Sequence, residues 1–106
     1  MNYQHKQLAK GRWRRLSFLE QMANIGSEVQ RTLKWKDNAN FAKNAFERAL
    51  ELFDLTIEDK KNQKRLKEVL RARELFADYI VGDNLYQSSD SQWQKYFYNF
   101  NFASRR

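Results

Sequence analysis

At 106 residues, with 20 Lys or Arg against 13 Asp or Glu and a net charge of +7, the chain is sized for one domain with its own core. The absence of cysteine excludes a disulfide scaffold, thiolate metal sites and thiol catalysis, and fits a reducing compartment. No apolar run approaches the roughly 18–20 residues needed to span a bilayer, and the basic start lacks the apolar stretch of a secretion signal, so a cytoplasmic protein away from membranes is expected.

With no proline and three glycines, the unbroken helical periodicity predicts an all-α fold. The expected form is an antiparallel up-and-down helical bundle of three long helices plus a short aromatic C-terminal helix, one domain over 1–106 with 1–11 as a flexible basic arm. The first helix is predicted from near Arg12 or Leu16 to Trp35. Its apolar stripe holds Leu16, Leu19, Met22, Ala23, Gly26, Val29 and Leu33. Gly26, at the centre of that stripe, predicts close approach of another helix, with the alanines of the second helix as its partners. The second helix is predicted over about 38–56, capped by Asp37 or Asn38 and packing Phe41, Ala45, Phe46, Ala49, Leu52 and Phe53. The third is predicted over about 60–81, capped by Asp59, with Leu66, Val69, Leu70, Phe76, Ala77 and Ile80 inward and Gly82 as its stop. After a loop over 82–91, Ser89 or Asp90 caps the last helix. There Trp93, Tyr96, Phe97 and Phe100 share one face, and Tyr98 and Phe102 point the other way.

Charge is segregated along the chain. Residues 1–16 carry five basic residues and no acid, and residues 60–73 carry seven basic and one acidic. Residues 17–59, between them, and residues 74–104, after them, are each net negative. Lys60, Lys64, Lys67 and Arg71 align on one side of the predicted third helix, widened by Lys61 and Arg65. Such a track of cations can follow a phosphate backbone, and the bland alternative is a solvated helix face.

Two arginines break the apolar pattern. Arg15 and Arg73 each fall within a stripe, so each must be ion-paired, extend to solvent, or face an anion-binding cleft. For Arg73 the nearby acids are Glu74, Asp78 and Asp83. Trp13 and Trp35 map to the polar side of the first helix. With Tyr98 and Phe102 they form a candidate interface for self-association, a dimer being the most economical assembly, or for a protein partner. His5 is the only histidine, which excludes paired His ligands and leaves no Ser/His/Asp set; no Gly-rich phosphate loop occurs either. No metal, cofactor or catalytic residue is expected.

The segments Gln21-Met-Ala-Asn-Ile-Gly-Ser-Glu-Val, Phe46-Glu-Arg-Ala-Leu-Glu-Leu, Gly82-Asp-Asn and Lys95-Tyr-Phe resemble a small all-helical prokaryotic family with no settled activity. In architecture the chain is also similar to HEPN helical bundles, some of which are ribonucleases partnered by nucleotidyltransferases. Those nucleases place a His a few residues after an Arg, whereas here His5 precedes every Arg, so the resemblance implies a fold without that activity. The function expected is a non-enzymatic interaction protein using exposed aromatics. The alternative is an accessory protein that binds RNA or DNA through the third-helix cations and the N-terminal basic residues.

Overall fold

Ser17 ends one helix and starts the next. Its hydroxyl accepts from the Glu20 N–H at 3.1 Å, while the Glu20 carboxylate accepts from the Ser17 N–H at 2.9 Å, a reciprocal capping box. The first predicted helix is therefore two. The computed structural model describes residues 6–105 and contains α1 (Lys6–Arg15), α2 (Phe18–Lys34), α3 (Ala39–Glu58), α4 (Leu66–Val81) and α5 (Asp90–Ser104). A 3₁₀ segment, Lys60–Arg65, joins α3 to α4. The fold is all-α, with no strand among the described residues. The arm expected over 1–11 is helical from Lys6 onward, and residues 1–5, His5 among them, lie outside the described residues.

Asn38, Asp59 and Ser89 act as the N-caps that their side chains predict. Each accepts a backbone N–H of the following turn, from Phe41, Lys61 and Gln92 respectively. Gly82 ends α4 without a left-handed backbone, its φ being −97°. A Cβ there would lie 2.9 Å from the Asp78 carbonyl oxygen, so close approach is what the position requires of glycine. The left-handed residues of the following loop are Asn84 and Gln87, at φ 53° and 55°. The Asn84 side chain holds its turn by bonding both the N–H and the C=O of Ser88.

One core cluster joins all five helices. It contains Trp13 of α1; Met22, Ile25, Val29 and Leu33 of α2; Phe46, Ala49, Phe53 and Leu55 of α3; Val69, Ala72 and Phe76 of α4; and Trp93, Phe97 and Phe100 of α5. Tilted, edge-to-face and stacked ring contacts link Phe46, Phe53, Phe76, Trp93 and Phe97 in a continuous chain. The α2 stripe is rotated from its predicted centre. Leu19 lies outside, whereas the polar Gln21 and Thr32 are fully buried beside Ile25 and Val29. Gly26 also faces a different neighbour from the one expected. A Cβ on it would stand 2.8 Å from the Phe97 Cβ, so its missing side chain admits α5 rather than the alanines of α3.

Candidate polyanion-binding surface

The two basic segments, far apart in sequence, meet at a buried polar joint. The carbonyls in the last turn of α1 have no intrahelical partners beyond the helix end and need donors from elsewhere. Gln21 of α2 and Lys61 of the 3₁₀ segment supply them: Gln21 Nε2 donates to Trp13 O at 2.9 Å, and Lys61 Nζ donates to Arg14 O at 3.1 Å. Gln21 Nε2 also donates to Asp59 Oδ2 at 2.9 Å, and its Oε1 accepts from Asn62 Nδ2 at 2.7 Å. Asn62 reaches Thr56 O at 3.0 Å, and the Trp13 indole N–H donates to Thr56 Oγ1 at 2.9 Å. Asp59 completes the joint by pairing with Lys61. Burial pushes the Asp59 carboxyl up, but hydrogen bonds from Lys61 and Gln21, the Lys61 backbone N–H and the Lys61 charge together hold it below its ordinary value.

This joint places the last turn of α1, with Arg12, Arg14 and Arg15, beside the cations that follow Asp59. Arg12, Arg14, Arg15, Lys60, Lys64 and Lys67 are exposed and form no ion pair among the described residues. Two of the predicted cations are partly committed. Lys61 serves the joint, and Arg65 pairs with Glu68 at 2.7 Å while lying over the Phe18 ring at 4.4 Å. The straight α-helical track expected from Lys60 to Arg71 is corrected by the 3₁₀ geometry. At three residues per turn, Lys61 and Lys64 eclipse one another, and the α-helical alignment resumes only with Lys67 and Arg71. Asn62, hydrogen-bonded into the joint, is the buried member of that segment. Exposed cations thus lie on three elements near the joint: the last turn of α1, the 3₁₀ segment and the first turn of α4.

Neither anomalous arginine is buried. Arg15 is exposed at the end of α1, the break at Leu16 and Ser17 having taken it out of the α2 stripe. Arg73 is half-exposed and pairs across the helices with Asp54 of α3, Nε to Oδ1 at 2.8 Å, rather than with Glu74, Asp78 or Asp83. That pair meets the charge requirement without an anion cleft.

The four aromatics predicted on the outside separate. Trp13 is 8% exposed and belongs to the core, because the helix break resets the phase on which the prediction rested. Trp35 is half out and packs on Phe41 at 5.4 Å between ring centroids. Tyr98 and Phe102, 61% and 56% exposed, stack on each other at 6.3 Å on the outer side of α5. A further polar cluster ties the start of α5 to the turn after α2 and to α4: Asp90 accepts from Lys36 at 2.8 Å and from the Tyr79 hydroxyl. Hydrogen bonding to Asp90 raises the Lys36 ammonium, and burial followed by the bond to Asp90 raises the Tyr79 hydroxyl.

The holding residues Gln21, Thr56 and Asn62 were not singled out by charge or motif. One signal was available, since Gln21 sits a turn before Ile25 on the apolar face. No group of His, Cys or acidic residues suited to a metal occurs among the described residues, and no described helix is long and apolar enough to cross a membrane. The chain matches no family model, no curated protein and no solved structure.

Proposed function

We propose that this protein is a non-enzymatic nucleic-acid-binding accessory protein, built as an antiparallel up-and-down helical bundle, which grips a phosphate backbone with the basic face of α1, the 3₁₀ segment and α4. The observation that carries this reading is the joint itself. Lys61 bonded to the Arg14 carbonyl unites the two most basic segments of the sequence on one surface. From Lys60 to Arg71 the chain rises about 20 Å, enough to follow several phosphates of one strand. Aromatic side chains do not interleave with the exposed cations, and Phe18 lies beneath Arg65, so contact is with the backbone and carries no base preference. The antiparallel arrangement draws support from Lys36, just past the end of α2, pairing with Asp90 at the start of α5, while Gly26, earlier in α2, meets Phe97, later in α5.

The test is binding of a fluorescent oligonucleotide as a function of salt. Affinity should fall steeply, and replacing Arg14, Lys60, Lys64 and Lys67 with Gln should reduce the log–log salt slope by roughly one per removed contact, with helix content intact. No binding by the wild type at low salt would overturn the proposal.

A second reading rests on the exposed Tyr98–Phe102 stack, a self-complementary apolar contact suited to a symmetric dimer.

A further inference from the structure

Between α4 and α5 lies an open groove of about 340 Å³. Its walls are apolar, made by Ala72 and Leu75 on one side and by the rings of Trp93 and Tyr96 on the other, which stand edge-to-face at 6.1 Å. One carboxylate, Glu68, and one guanidinium, Arg71, border it, and their states differ. Glu68 is spent: Oε1 accepts from Arg65 Nε and Nη2 at 2.9 and 2.7 Å, and Oε2 accepts from the Tyr96 hydroxyl at 2.9 Å. Burial, then the bond to Glu68, raises the Tyr96 hydroxyl, so it stays protonated and keeps donating to that carboxylate. Arg71, three residues on, is therefore left with no ion pair among the described residues at the edge of an apolar slot. The Trp93 indole N–H is buried with no hydrogen-bond acceptor, and Gln92, whose amide oxygen accepts from the Ser89 N–H, lies on the rim.

We propose that this groove binds a small aromatic carboxylate, its ring against Trp93 and Tyr96 and its anion on the Arg71 guanidinium. The apolar walls supply burial, and the fork of Arg71 supplies the only uncompensated charge on the lining, which selects an anion over a cation or a neutral ring. The volume admits a ligand of one or two fused rings. The inference does not rest on the polynucleotide reading: Arg71 is shared with the far end of the cation track, but the groove is walled by α4 and α5 and the joint takes no part in it.

The experiment is calorimetric titration of the full chain with naphthalene-2-carboxylate. Expected are one saturable site, with Kd on the order of 100 µM to 1 mM, and an affinity loss of at least about tenfold in Arg71→Gln. The neutral 2-naphthylmethanol should likewise bind at least about tenfold more weakly. Leu75→Trp, filling the slot, should abolish naphthoate binding while oligonucleotide binding is unchanged, so the two readings fail separately. Circular dichroism of each variant checks that the helices persist. Naphthoate binding that is absent to millimolar concentration, non-saturable, or equal in wild type and Arg71→Gln would overturn the proposal.

Discussion

Gln21 is a polar side chain at an apolar position, and its environment explains why it is tolerated. Both amide hydrogens and the carbonyl find partners, in Trp13 O, Asp59 and Asn62, so no capacity is wasted on burial. The charge in this joint is carried by Asp59, whose carboxyl is held below its ordinary 3.8. A carboxyl depressed by folding adds stability above its unfolded value and loses it as pH falls through the folded one. Stability should therefore decline below about pH 4. Asp59→Asn should lower stability by about 1–3 kcal/mol at pH 7 and make that acid decline shallower. Urea denaturation at pH 7 and pH 3 checks both; equal acid slopes in the two proteins would show that Asp59 is not the group responsible. Arg73 is the opposite case, a solvent-open pair with Asp54 whose worth lies within about 1 kcal/mol.

Helix by helix, what the sequence made legible follows a physical division. The caps at Asn38, Asp59 and Ser89 are local chemistry and could be read directly. The Ser17-Phe-Leu-Glu20 box was equally local, and overlooking it ran two helices together, placing Trp13 outside and Arg15 inside. The 3₁₀ stretch had no such mark, because its geometry depends on Asn62 being drawn toward Gln21, 41 positions away. Gly26 shows the same limit: the need for close approach was visible, and its partner was not. Gly26→Ala sets a helix-propensity gain of up to about 1 kcal/mol against the collision with Phe97, and the collision should win by about 1–2 kcal/mol. Gly11→Ala is the internal control, with nothing within 4 Å of the new methyl group, and should be neutral or slightly stabilising. Thermal melts of both variants decide it, and a Gly26→Ala protein as stable as wild type would mean that α5 can slide away without loss.

For the whole molecule, the fold brings the end of one basic segment, at Arg14, against the start of the other, at Lys61, while the aromatic quartet disperses. Only Tyr98 and Phe102 retain the character of a contact surface on α5, with Trp35 and Phe41 forming a separate pair elsewhere. If copies associate through α5, light scattering at high micromolar concentration should give a mass above the 12.9 kDa monomer. Replacing Tyr98 and Phe102 with Asp should return it to the monomer without change in melting. A monomeric wild type would remove the dimer reading.

The attachment of α1 has a dynamic consequence. Among the described residues it contributes one core side chain, Trp13, and otherwise adheres through the hydrogen bonds of its last turn and the Lys10–Glu58 pair. An element so held should open at lower free energy than α2 or α3, and hydrogen exchange of its amide protons as a separate unit would show it. A polyanion spanning both sides of the joint binds only the docked form, so by mass action it stabilises docking in proportion to its own concentration. On the proposed function the basic residues would then act as a latch: the ligand that uses them would also keep them assembled.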